Sequence, residues 1–293
     1  MVYTQIQSNK RKSVILFLVF FIIIFILGAI LDYIFNLGYF GIFVGVIFSI
    51  FSALFSYFYG DKVVLRLSGA RPVSKSEYPV LFNLVESLSL GTGIPMPKVH
   101  VIEDNAINAF ATGRDPEHAS IAVTNGSLNK LNKEELEGVL AHEISHIKNF
   151  DIRFMVLVSV MVGTIIMLSD LFLRGFMFRG SDKEDRNPNI ILLVLGIIFI
   201  ILSPIFAQLI QLSISRKREY LADASGALLT KNPSGLANAL KKIGNDINIL
   251  KTANNATAHL FISNPFKNKK RFFSNLLSTH PPLELRIKEL EKM

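Results

Sequence analysis

The sequence predicts an α+β membrane protein, in which four helical spans carry a mostly helical polar part with a small β-sheet. Three observations predict it. Half of the 293 residues are apolar and only 18% are charged, below the roughly 25% usual in soluble domains. The apolar residues gather in four blocks almost without charge, each close to the about 20 residues a helix needs to cross a bilayer. Between and after these blocks, helical periodicity gives way to short runs of period two.

The first block runs from Val14 to about Leu31, after Lys10, Arg11 and Lys12. It is longer than the roughly 7–15 apolar residues of a secretory signal, and it passes through Asp32 into a second charge-free run, Leu37 to Gly60. Residues 1–60 therefore read as a membrane hairpin, with spans at about 14–34 and 38–59 and a turn near Asn36-Leu37-Gly38. Phe154 to Phe172, interrupted by Asp170, and Ile190 to about Ser215 form a second hairpin over 153–215, with spans at about 154–173 and 190–213. Asp170 and the pair Gln208 and Gln211 lie toward span ends and read as structural.

Basic residues flank one side of these spans: Lys10, Arg11, Lys12, Lys62, Arg66, Arg71, Arg153, Arg216, Lys217 and Arg218. The other side holds Arg174, Arg179, Lys183 and Arg186. The excess places both termini and both long polar segments in the cytoplasm. It also accounts for the net charge of +8 without nucleic acid, for which no binding fingerprint is present.

Residues 61–152 form the larger polar part. Val73 to Leu90 reads as an amphipathic helix with Pro79 in its early turns. Alternation at Val99 and Val101, at Ala109 to Gly113, and at Ile121 and Val123 predicts short strands, separated by turns such as Arg114-Asp115-Pro116 and Asn125-Gly126. Asn132 with Glu135 forms a capping box that starts a helix continuing toward the third span. Residues 216–293 supply a helix from Ser215 to about Leu229, a second from Pro233 to Lys251, a polar stretch with a basic-aromatic patch at Lys267 to Phe273, and a short helix from Leu283.

The chain has no cysteine, so any metal must be held by imidazole or carboxylate. His142-Glu143-Ile144-Ser145-His146 lies inside the capped helix, where positions i and i+4 share a face and can reach one ion. Glu143 is placed to take a proton from the attacking water. A third histidine six residues on is missing, since that position is Ile152. Glu219, in Glu219-Tyr220-Leu221-Ala222-Asp223, is the best distant candidate, with Asp223 one turn away to accept the second N–H of a ligating histidine. On spacing alone the same pair also fits a solvated acidic face. The second membrane hairpin would bring both helices out on one side.

Together these residues resemble the HtpX family of membrane zinc metalloproteases, over nearly the whole chain. His142-Glu143-x-x-His146 with Glu219-x-x-x-Asp223 matches its metal site, and Asn108-Ala109-Phe110-Ala111-Thr112-Gly113 matches its strand upstream of the zinc helix. Ser278-Thr279-His280-Pro281-Pro282 with Leu285-Arg286-Ile287 is similar to its C-terminal motif. The resemblance implies a zincin-type catalytic domain with one Zn2+ per chain, facing the cytoplasm from a bacterial inner membrane and degrading misfolded membrane proteins under stress. It implies places near the site for His280, as a stabiliser of the oxyanion, and for Arg286. Asn108 to Gly113 is expected to grip the substrate backbone as a strand edge, and its pattern also fits an internal strand of the sheet. Eukaryotic prenyl-protein proteases, with more spans, are less similar. The alternatives are a metal-binding transporter or an inactive scaffold. Spans almost without internal charge argue against the first, and Glu143 against the second.

Overall fold

The computed structural model describes residues 2–35, 38–163, 216–253, 256–265 and 281–293. Helix α1 (Val2–Phe35) and helix α2 (Phe40–Leu67) pack on each other along a hairpin. Asp32 caps the start of α2, its carboxylate accepting from the N–H groups of Gly41 and Ile42 at 2.8 and 3.1 Å. Both helices outrun the apolar blocks: α1 begins twelve residues before Val14, and α2 continues through Asp61 to Leu67. Phe40–Leu67 is long and apolar enough to cross a membrane. The later part of the third apolar block and the whole of the fourth lie outside the described residues.

Beyond α2 the chain forms a mixed four-stranded sheet in the order β1-β2-β4-β3. Strand β1 (Ala70–Pro72) pairs antiparallel with β2 (Lys98–Ile102). β2 pairs in parallel with β4 (Ala119–Thr124), and β4 pairs antiparallel with β3 (Ala109–Gly113) at the far edge. Period-two alternation splits the strands between two cores. Val99, Val101, Ala109, Ala111, Ile121 and Val123 face the larger core beneath the following helices, whereas Ile102, Phe110 and Ala122 pack with Val64 and Leu65 of α2 and with Leu260 and Phe261. The end of α2 is thus built into the polar domain.

Helix α3 (Pro79–Thr92) starts at its proline rather than at Val73. Proline at the first helical position gives up no needed hydrogen bond, and the preceding residue is biased away from helical backbone. Asn125-Gly126 opens a short helix, α4 (Asn125–Lys130), instead of a turn. The capping box forms as predicted at the head of α5 (Lys133–Lys148), with Asn132 Oδ1 accepting from Glu135 N and Glu135 Oε2 from Asn132 N, both at 2.8 Å.

α5 does not run on toward the third span. It ends at Asn149-Phe150, where Phe150 takes φ +59, and helix α6 restarts over 151–163. Phe154, Leu157, Val158, Met161 and Val162 of α6 pack on Leu16 and Phe20 of α1. α2 crosses α6 at Gly60, where a β-carbon would stand 2.6 Å from a methyl of Val156. Helices α7 (Arg216–Thr230), α8 (Pro233–Asn245) and α9 (Leu283–Leu290) complete this helical half. α8 ends at Asn245, short of Lys251, where Asp246 leaves helical backbone to accept the N–H of Ile107 at 2.7 Å.

Candidate metal centre

The middle of α5 is buried on every side. From Leu136 to Ile147 only Glu137 escapes the buried class, so His142, Glu143 and His146 are enclosed without losing helical geometry. α7 lies against this segment because Gly226 has no side chain: a β-carbon there would stand 3.1 Å from the His142 backbone nitrogen. One and two turns earlier on α7, Asp223 and Glu219 therefore face the two histidines.

The imidazoles stand edge to face, with ring centroids 4.7 Å apart at 89°. His142 Nε2 and His146 Nε2 are 3.1 Å apart. The Glu219 carboxylate completes the triangle, 3.8 Å from His142 Nε2 and 3.5 Å from His146 Nε2. One ligand atom of each residue lies within 4.8 Å of the others. Corners of a tetrahedron around an ion bound at about 2.0–2.2 Å stand about 3.3–3.6 Å apart, so the spacing fits one tetrahedral ion.

The opposite ring nitrogens explain the orientation. His142 Nδ1 lies 2.9 Å from Asp223 Oδ1, and His146 Nδ1 lies 3.0 Å from Asp151 Oδ2. Each carboxylate fixes the ring and favours the proton on Nδ1, turning both Nε2 lone pairs inward. Two such nitrogens 3.1 Å apart beside a carboxylate require a shared proton or a cation between them. The donor set therefore suits a metal ion on its chemistry as well as its spacing.

Asp223 does not act alone. Arg286, fully buried at 0% exposure, donates to it through Nε at 2.8 Å and through Nη2 at 2.6 Å. Its Nη1 donates to the carbonyl of Ile262 at 3.0 Å and lies 3.5 Å from Glu219. Burial opposes the charge on Asp223, but the Arg286 guanidinium and the His142 hydrogen bond outweigh it and hold the carboxyl down at about 2. Burial lowers His142 to about 4, against the pull of Asp223. His146 goes the other way: burial opposes its charge, yet Asp151 and Glu219 raise it to about 9. Burial pushes Glu143 up to about 7, His146 opposing and Glu219 adding, a value suited to exchanging protons near neutrality. The backbone of Ala111 on β3 faces Glu143 and favours its ionised form, so the edge strand meets the helix beside its candidate base.

The structure thus brings together His142, Glu143, His146, Glu219, Asp223 and Arg286, with Ala111 of the 108–113 segment beside them. His280 and the Lys267 to Phe273 patch lie outside the described residues. The edge strand is partly covered from within the chain. The Ile262 N–H donates to Ala109 O at 3.0 Å, and Asn108 Nδ2 donates to Ser263 O at 3.3 Å.

Asp151 is the residue that sequence reasoning missed. It follows His146 by five positions, one more than a helical face allows, and only the break at Phe150 swings it back. Its second oxygen accepts from Asn9 Nδ2 at 2.6 Å, and the same amide reaches Asn149 O at 2.9 Å, so the base of α1 supports the metal-site turn. Replacing Asp151 with Ala is expected to lower zinc affinity about 10–100-fold, measured by competition with a chromogenic chelator. Unchanged affinity would remove Asp151 from the site.

A family model described as Peptidase family M48 matches residues 77–293. Among curated relatives, the protease HtpX homologue of Thermoanaerobacter pseudethanolicus is 46% identical and aligns over 97% of this chain and 95% of its own length. That of Dictyoglomus thermophilum is 44% identical over 99% and 94%, and that of Lactobacillus acidophilus is 43% identical over the full length of both. Among solved structures, the crystal structure of S. mikatae Ste24p is similar with a TM-score of 0.52 at 23% identity. This chain is covered to 91% and spans 61% of that one, a likeness of fold.

Proposed function

We propose how this chain works from the premise that it belongs to peptidase family M48, among the HtpX proteases. It is a membrane metalloprotease. In the proposed reading it is a zinc endopeptidase holding one Zn2+ through His142, His146 and Glu219, and the observation that carries this is the convergence of their three inward ligand atoms. Zinc would supply Lewis acidity, acidifying water to a pKa of about 7 and polarising an amide carbonyl.

The protein's own groups do the rest. The Glu143 carboxylate takes the proton of the attacking water and passes it to the departing amide nitrogen. Asp223 and Asp151 hold the two imidazoles in place, and Arg286 keeps Asp223 ionised and immobile. The Ala111 backbone, facing Glu143 from β3, favours its ionised form. His280 is proposed to donate to the oxygen that gains charge, the kind of contact that contributes several kcal/mol in related hydrolyses. β3 is proposed to pair with the substrate backbone, a reading supported by its place at the sheet edge beside Glu143. Because Ile262 already covers Ala109, the substrate is expected along Ala111 to Gly113.

The substrates proposed are unfolded or misfolded membrane proteins. Binding through the main chain requires no particular side chain, as quality control demands. The setting proposed is a bacterial inner membrane crossed four times, with residues 61–152 and 216–293 forming the cytoplasmic catalytic part. The exposed apolar side chains of α2, among them Phe43, Ile47, Phe51 and Leu54, support contact with lipid. A denatured membrane protein offered to the full-length protease should be cut at several sites and its folded form spared. Cleavage of both forms alike would refute the quality-control reading.

Orientation has its own test, helped by the absence of cysteine. A cysteine at exposed Lys133 should react with an impermeant maleimide only after lysis, and one at Ser181 in intact cells. The reverse labelling pattern would invert the topology.

A further inference from the structure

The turn between α5 and α6 gathers positive charge that the metal centre does not use. Phe150 occupies it with φ +59, a backbone region costly for a residue with a side chain. Its ring lies 4.5 Å from Lys10 Nζ on α1 and 5.3 Å from Arg153 Cζ on α6. Arg153 Cζ also stands 5.7 Å from the ring of Tyr57 on α2. Arg114, the first residue after β3, stands 5.8 Å from Tyr57 and 5.3 Å from Phe58. Arg153 Nε donates to Arg114 O at 2.6 Å. Three cations from α1, α6 and the turn after β3 are therefore strung along one run of aromatic rings.

Aromatic faces attract cations but do not neutralise them. Asp115 lies 3.5 Å from Arg114. Among the described residues, no ion pair is formed by Lys10 or Arg153. The cluster also lies where α2 changes character. Phe51, Leu54, Phe55 and Phe58 are exposed along the helix, and Asp61 and Lys62 follow. An exposed apolar face that ends in gathered cations matches a molecule with an acyl chain and an anionic head. Free phosphate would leave the apolar face unused, and so would nucleic acid.

We propose that Lys10, Arg114 and Arg153 bind the phosphodiester headgroup of an anionic phospholipid, whose acyl chains lie along α2. The inference rests on the reading that α2 crosses a bilayer. Guanidinium groups suit the site because their planar forks pair with phosphate oxygens and stack on rings. The bound lipid would clamp α1, α2 and α6 directly beside the end of β3.

The test uses full-length protein in detergent, titrated with phosphatidylglycerol or phosphatidylcholine and read by native mass spectrometry. Wild type should prefer phosphatidylglycerol. The double variant Arg114→Gln/Arg153→Gln should lose about tenfold or more of that affinity, while Lys288→Gln/Lys292→Gln, which removes the same charge at exposed positions on α9 and just after it, should lose none. No lipid preference in wild type, or equal losses in both double variants, would overturn the proposal. Arg153→Lys guards against misfolding, because it keeps the charge and removes the fork. With zinc content and melting temperature unchanged, it should still bind phosphatidylglycerol more weakly than wild type, and binding as tight as wild type would also overturn the site. Insertion of wild type into phosphatidylcholine vesicles tests the bilayer reading separately, since headgroup binding in detergent does not require it.

Discussion

Glu143→Gln should keep its zinc and lose peptide hydrolysis by about 10²–10⁴-fold, the usual contribution of a positioned general base. The substitution preserves shape, because an amide replaces a carboxylate of the same size. It removes the carboxylate that burial pushes up to about 7. Glu143 is 2% exposed, so bulk water has no easy route to replace it. The measurement is the initial rate on a quenched fluorescent peptide, normalised to bound zinc. Hydrolysis within a fewfold of wild type would assign the base to another residue.

Glu219→Ala should lose the metal itself. The two imidazoles would remain oriented by Asp223 and Asp151, but a pair of nitrogens is an incomplete set for a site needing three protein ligands. Metal content after dialysis against a weak chelator should fall to background and activity with it. Asp151→Ala, by contrast, should retain zinc at higher total concentration. That difference separates a ligand from a residue that only aims one. Retention of zinc by Glu219→Ala with wild-type affinity would mean that another group closes the triangle.

Much of this site was legible in the chain because it obeys local rules. His142 and His146 share a helical face at i and i+4, and Asn132 with Glu135 announces the head of that helix. Glu219 and Asp223 repeat the same spacing, and the membrane hairpin expected between the two helices was enough to suggest that they meet. Asp151 was not legible, because its approach depends on a left-handed residue at Phe150, a position where sequence gives no glycine to mark the break. Arg286 could be located by motif, but its bidentate grip on Asp223 and its contact with Glu219 are products of tertiary packing.

The fold follows the same division. Alternation at Val99 to Val101, Ala109 to Gly113 and Ile121 to Val123 marked three strands. β1 is only three residues long and ends in proline, too short for any period to declare itself. Proline also decided α3, whose apolar periodicity seemed to begin at Val73 but whose backbone could become helical only from Pro79. The reach of α2 past Gly60 was hidden by its change of surroundings: its apolar residues leave the exposed pattern and, at Val64 and Leu65, enter the core under the sheet. Covering of Ala109 by Ile262 joins residues far apart in sequence, and no local pattern encodes it.

The central claim is that one zinc ion, held by His142, His146 and Glu219, makes this chain a peptidase. Its most direct test is to strip the full-length protein with a chelator and add zinc back in measured fractions of an equivalent, following peptide cleavage at each step. Activity should rise from background in proportion to added zinc and level off at one ion per chain, with Glu143→Gln taking up the same single equivalent in silence. Cleavage that persists in the stripped protein, or that levels off at any other stoichiometry, would contradict the account.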